Sequence, residues 1–230
     1  SNFIMLALKL GLSLVSTPIL GADWSPDDET SLVAWYQNAV GISLDGSDVK
    51  QWDDSSSNSY DMVQNTATHQ PAYSAGVLTF VSADDNNLQT ASQISLPADF
   101  TLGLRINTST TNGSFIGDNT SANEYFKYSL STRIAFKIAG SSSTNLDLDS
   151  GTFGDDYLVI TRLSNVVTLW KNGVAQTGTT PTVAGTSLID VIGLRRIDLN
   201  GFDGTIKEIQ IYSSSSAGLT ANVNDRLSTL

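Results

Sequence analysis

The stretch Gly201-Phe202-Asp203-Gly204-Thr205-Ile206-Lys207-Glu208-Ile209-Gln210-Ile211-Tyr212 decides the reading of the fold. It opens on a Gly-x-Asp-Gly turn and then alternates. In an extended strand Ile206, Glu208, Gln210 and Tyr212 share one face, and Thr205, Lys207, Ile209 and Ile211 share the other. Neither face is purely polar. An exposed edge strand would show a clean polar side, so this pattern predicts an inner strand of a two-layer β protein.

Working outward, the rest of the chain supplies partners for that strand. Short alternating segments are expected over 31–36, 77–80, 99–106, 114–117, 125–130, 133–138, 145–148, 157–162, 166–170 and 189–194. They recur about every 8–12 residues, the spacing of an all-β sandwich. Ser164-Asn165 joins two of them as a tight hairpin connection. Leu88-Gln89 and Ile94-Ser95-Leu96 read as separate short segments. Ser25-Pro26 starts a very short helical turn. One closing helix is predicted over 219–230, capped by Thr220.

The composition agrees with this class. Of 230 residues, 40% are hydrophobic, enough for a substantial core, and only 15% are charged. The formal net charge is −11, and of the acids only Glu29, Glu124 and Glu208 are glutamates. Asp favours turns and caps, which places much of the charge in loops. No basic stripe is present and the acidic surface repels phosphate, so nucleic acid is excluded as a partner. The chain has no cysteine, which excludes disulfides, thiolate metal sites and a cysteine nucleophile.

Residues 1–22 read differently from residues 23–230, the sandwich domain. Leu6, Leu8, Leu10, Leu12 and Leu14 fall on one face of an extended segment, with Lys9 on the other. Lys9 interrupts the apolar run and no basic residue precedes it, which argues against a signal peptide. The run is too short and broken for a membrane span, so no membrane partner is expected. A first strand of the domain's own sheet and an arm docked on another chain both fit. The docked arm is the expectation carried forward, with Phe3, Leu6, Leu8, Leu10, Leu12 and Leu14 as the partner-binding row.

Leu32-Val33-Ala34-Trp35-Tyr36, Val49-Lys50-Gln51-Trp52-Asp53-Asp54, Gln70-Pro71-Ala72-Tyr73, Asp99-Phe100-Thr101-Leu102, Val167-Thr168-Leu169-Trp170-Lys171-Asn172-Gly173 and 201–212 occur in this order. Together they resemble the concanavalin A-like lectin/glucanase superfamily in its laminin-G-like branch. The resemblance covers roughly residues 30–215. It implies an all-β jelly-roll sandwich of two curved antiparallel sheets, one concave. A Leu-rich arm before such a domain resembles structural proteins of tailed bacteriophages.

The residues carry little reactive chemistry. Glycosidases need two facing carboxylates. Glu208 has no acidic partner two or four residues away, and the Glu-x-Asp-x-x-Glu strand of the superfamily's glucanases is missing. Asp147 and Asp149 share a strand face beside a Gly/Ser loop. His69, the single histidine, stands in a polar loop. No catalytic residues are therefore named. Asp53, Asp84 and Asp85, in Asp/Asn-rich turns, are candidate oxygen ligands for Ca2+, and the same residues also suit plain Asx turns. No other cofactor is expected. Sugar binding would use an exposed aromatic beside Asn or Asp. Tyr125 and Tyr128 are the candidate stackers, while Trp35, Trp52 and Trp170 are expected in the core and Trp24 at the hinge.

The expectation is a non-enzymatic virion structural protein, a capsid decoration or cement component on the particle surface, partnered with other virion proteins or copies of itself. The alternative is a carbohydrate-binding adhesion module of a tail fibre or host-surface lectin type, with a host-surface glycan as ligand. Light scattering on the full chain and on a form lacking residues 1–21 tests the arm. An intermolecular anchor predicts that only the full chain assembles and that the shortened form is a stable monomer. Unfolding of the shortened form would make the segment an internal strand.

Overall fold

A computed structural model of the chain describes residues 24–108, 110–120, 124–138, 141–195 and 201–230. The leucine row at residues 3–14 lies outside the described residues. Two antiparallel sheets form a sandwich of the jelly-roll kind. In the first sheet β1 (Leu32–Tyr36), β17 (Gly204–Tyr212), β8 (Phe100–Thr108), β13 (Asp155–Leu163), β14 (Val166–Lys171) and β15 (Val174–Ala175) pair in that order. In the second, the order is β4 (Met62–Val63), β7 (Leu88–Leu96), β16 (Ser187–Ile192), β9 (Gly113–Gly117), β10 (Tyr125–Leu130), β11 (Arg133–Lys137) and β12 (Thr144–Asp147). The strands β2 (Ile42–Asp45), β3 (Asp48–Trp52), β5 (Ala72–Ser74) and β6 (Val77–Phe80) link the sheets. β6 pairs with the start of β17, and β3 pairs with β4.

The decisive stretch is the inner strand its pattern predicts, flanked by β1 and β8. Its faces divide differently from simple alternation. Ile206 faces Ile106 across the ladder, while Glu208 faces Arg105, so Lys207 is an extra residue in β17. A bulge of this kind flips the faces that follow it. Ile206 therefore joins Ile209 and Ile211 in the core between the sheets, and Glu208, Gln210 and Tyr212 turn to the outer side.

That outer side is covered by one helix, α1 (Ala217–Ser228). Leu219, Val223 and Leu227, spaced four apart, lie on Val159 of β13 and Tyr212 of β17. Burying each such side chain is worth roughly 1.5–3 kcal/mol. The helix begins earlier than the sequence pattern suggests. Ser216, in extended conformation, is the N-cap and its Oγ accepts from the Leu219 N–H at 3.1 Å. Thr220 lies inside the helix, its hydroxyl bonded to the Ser216 carbonyl at 2.8 Å. The helix also needs Gly103 in β8, because a Cβ there would come within 2.5 Å of Val223 Cγ1. Among the described residues no helix is long and apolar enough to cross a membrane.

The main core fills the space between the sheets. Leu102, Leu104, Ile160, Ile209 and Ile211 from the first sheet meet Leu88, Ile94, Phe126 and Phe136 from the second. Phe126 and Phe136 stack with ring centroids 5.6 Å apart.

Sheet, helix and β1 are joined by one buried carboxylate. Glu208 is fully buried and accepts from Trp35 Nε1 at 3.0 Å, the Asn38 N–H at 3.1 Å and Gln210 Nε2 at 2.8 Å. Arg226, in the last turn of α1, meets it with two bonds of 2.6 and 3.0 Å and lays its guanidinium over the Trp35 ring at 4.8 Å. Replacing Arg226 by alanine leaves a buried charge without its counter-ion. The expected loss is about 3 kcal/mol of unfolding free energy, read by urea denaturation. An unchanged midpoint would show that the pair contributes nothing.

Candidate functional site

A polar depression lies where β7 departs from regular pairing. Ile94 of β7 faces Ile189 of β16, and Gln89 faces Val191, so residues 90–93 arch out opposite the single residue Asp190. Thr90 braces the arch. Its hydroxyl donates to the Ser92 carbonyl and accepts from the Ser92 N–H at 3.0 Å. This is the local side-chain to backbone turn that Ser and Thr favour.

Between the arch, β4 and the loop leading into β4 runs a groove of about 590 Å3, with Tyr60, Asp61, Gln64, Asn65, Asn87 and Gln89 among its walls. A second hollow of about 220 Å3 continues it past Gln64, Asn87 and Gln89 to His69 and Asn119. The amides are tied in pairs. Gln64 Nε2 donates to Asn87 Oδ1 at 2.9 Å, and Asn119 Nδ2 donates to Gln89 Oε1 at 3.0 Å. Asn119 Oδ1 is buried with no hydrogen-bond partner among the described residues. Side-chain amides offer donors and acceptors on one planar group, the chemistry that reads vicinal hydroxyls. Sequence reasoning missed Gln64, Gln89 and Asn119. They come from three separate segments, and the unusual stretch between Gln89 and Ile94 was the one available signal.

The loop beside the groove is built on Asp54, which is nearly buried. Its carboxylate accepts from the Trp35, Ser56 and Tyr60 N–H groups and from the Ser56 hydroxyl, at 2.7–3.0 Å. Asp53 accepts from Gln51 at 2.6 Å. Asp84 and Asp85 sit in the turn after β6, with Asp85 in the left-handed region at φ 51°. No group of three or more His, Cys, Asp or Glu side chains able to hold a metal occurs among the described residues, so the structure does not assemble these three into a cluster.

The two candidate stackers are not surface residues. Tyr128 follows Phe126 on the inward face of β10 and is 1% exposed, beside Phe115, Phe153 and Phe202. Burial pushes its hydroxyl well above the usual tyrosine range. Tyr125 is 7% exposed, bonded to Ser143 at 2.9 Å and covered by the Arg195 guanidinium at 4.1 Å. Trp52 and Trp35 are buried as expected, whereas Trp170 is only half-buried. Trp24 packs on the helix side of the first sheet and bonds Glu29 at 3.0 Å. Asp147 is held below the usual carboxylate range by its bond to Arg133, and Asp149 by the Thr177 and Gly178 N–H groups.

Beneath the arch lie buried carboxylates that hold Asn119 in place. Asp190 accepts from the Asn119 N–H at 2.6 Å and from the Thr120 hydroxyl, and Asp118 accepts from Gln93 Nε2 at 2.7 Å. Glu124 accepts from the Leu188 N–H, and its other oxygen is buried and unbonded among the described residues. Burial pushes Glu124 up to about 7, against the Leu188 bond; the Asp118 charge adds to the rise and Lys137 opposes it. A carboxyl whose pKa is raised on folding binds more protons in the folded state. Its contribution to stability is complete below the ordinary glutamate range and is lost as pH rises to about 7. Glu124→Gln is expected to flatten that part of the stability–pH curve, measured by denaturant titration across pH 4 to about 8. An unaltered slope would remove Glu124 as its source.

No family model matches the chain, and no curated protein sequence matches it. Solved structures do. A Trypanosoma rangeli sialidase in complex with 2,3-difluorosialic acid aligns with a TM-score of 0.55 at 12% identity, over 94% of this chain and 35% of its own. Domain 4 of AbnA, a GH43 extracellular arabinanase from Geobacillus stearothermophilus in complex with arabinotriose, aligns at 0.51 and 16%, over 85% of this chain and 97% of that one. A structure of botulinum neurotoxin type C, whose cell entry depends on two ganglioside molecules, aligns at 0.52 and 15%, over 86% and 51%. The chain thus spans about a third of the sialidase's length. The expectation of a non-enzymatic chain is corrected here, since sialidases are enzymes and this sandwich occurs within their chains. At such identities the likeness shows the fold alone: this is a β-sandwich of a kind found in carbohydrate-active and carbohydrate-binding proteins.

Proposed function

We propose that the chain is a carbohydrate-binding module of the concanavalin A-like kind, holding a neutral oligosaccharide in the groove beside the β7 arch. The observation that carries this reading is the set of paired amides, Gln64 with Asn87 and Gln89 with Asn119, along about 590 Å3 of groove and its extension. A volume in that range accommodates more than one sugar ring. Asp61 and Asp85 at the walls and a net charge of −11 disfavour anionic glycans. The arabinotriose complex of a similarly folded domain, matched over nearly its whole length, supports the ligand class.

A role in a virion rests on the leucine row at residues 3–14, which lies outside the described residues, and the comparisons favour the carbohydrate reading. Calorimetric titration with a panel of neutral oligosaccharides tests the proposal. Gln89→Ala and Asn119→Ala are each expected to weaken binding by up to about tenfold, the equivalent of one net hydrogen bond. Variants that bind as tightly as the parent, or a parent that binds no member of the panel, would overturn it.

A further inference from the structure

We infer that a second sugar site lies on the opposite side of the first sheet, between α1 and the β13–β15 strands, where Tyr157 and Trp170 line a pocket floor beside Asn224 and Asp225. This goes beyond the groove at β7 and does not rest on it.

The pocket encloses about 250 Å3. That is below the roughly 300–1,000 Å3 of drug-sized sites and suits a single ring. Tyr157 in β13 and Trp170 in β14 both point to the helix side of the sheet, because their neighbours Leu158 and Leu169 point into the main core. Both are only half-buried, and they are the only aromatic residues of these two strands. The space above them exists because the opposing residues are small. Ala217 and Ala221 of α1 face the rings, and Gly173 takes φ +78° in the β14–β15 turn. That turn is fixed by Asn172, which accepts from the Tyr157 N–H at 3.0 Å and donates to Asp156 at 2.7 Å.

The polar side of the pocket is incomplete. Asn224 is 7% exposed and donates to the Thr220 carbonyl at 2.9 Å, yet its Oδ1 is buried without a hydrogen-bond partner among the described residues. An unmade bond at a buried acceptor is unfavourable, and in the proposed complex a ligand hydroxyl becomes the missing donor once the amide, whose oxygen is shielded from solvent, rotates toward the pocket. Asp225, exposed at the same edge, offers a carboxylate to a second hydroxyl. Aromatic faces beside an amide oxygen and a carboxylate suit a pyranose, whose axial hydrogens lie on a ring and whose hydroxyls point outward. A quaternary ammonium would also stack on the rings, but it has no hydrogen to give Asn224.

The test uses the full chain, labelled with 15N and titrated with the methyl glycosides of glucose, galactose, mannose and xylose. The four tryptophans give four indole signals, and Trp170→Phe assigns one of them. At least one glycoside is expected to move the Trp170 signal saturably. Ala221→Phe, on the exposed part of the helix, fills the pocket and is expected to weaken that response at least about tenfold. Gln89→Ala is expected to leave it intact, which separates this site from the groove at β7. A Trp170 signal that no glycoside moves, that choline alone moves, or that responds equally in Ala221→Phe overturns the inference.

Discussion

A fully buried glutamate sets the terms for half of this molecule. Glu208 sits on an inner strand, and taking its charge out of water is unfavourable unless every lone pair finds a donor. Trp35 and Asn38 supply donors from β1 and the residues after it, Gln210 from β17 itself, and Arg226 from the far end of α1. The cation at the helix C-terminus is also on the favourable end of the helix dipole. The pair therefore does more than join two charges. It tells α1 where to end, and so which outer face of the first sheet is covered and which part, around Tyr157 and Trp170, stays open.

Two irregularities in pairing then create most of what is distinctive. The extra residue Lys207 in β17 moves Ile206 into the main core and leaves Glu208, Gln210 and Tyr212 in line under the helix. The four-residue arch in β7 lifts backbone away from β16 and opens the amide-lined groove. In both cases a sheet that would otherwise be a regular ladder is re-aimed locally, and the departure is stabilised by nearby polar side chains, Gln210 in one and Thr90 in the other. The buried acids Asp118 and Asp190 serve the second departure by accepting from the segment after β9 that carries Asn119.

Much of the fold was legible in the residue pattern. The strand at 204–212, the long β8 and the β13–β14 hairpin follow directly from alternation, and Ser164-Asn165 takes the positive φ angles, 51° and 69°, that a two-residue connection requires. Placement on a face was less legible. Tyr128 and Trp170 both occur in alternating strands, but one lies among phenylalanines and the other borders a pocket. Alternation states which residues share a side and is silent on which side meets a neighbour. The helix start was misplaced because Thr220 and Ser216 are equally good caps by type, and only the extended backbone at Ser216 separates them.

By itself, then, the sequence determined an all-β sandwich with a central C-terminal strand, a formal net charge of −11, and a chemistry without thiols. Those properties depend on local periodicity and on composition, which need no knowledge of distant contacts. The tertiary structure alone decided that Gln64, Asn87, Gln89 and Asn119 meet in one groove, and that Tyr157, Trp170 and Asn224 meet in another. Each set is drawn from strands or a helix far apart in the chain, and what brings them together is ladder register, bulges and the seating of α1. These are long-range constraints that no short window of residues contains.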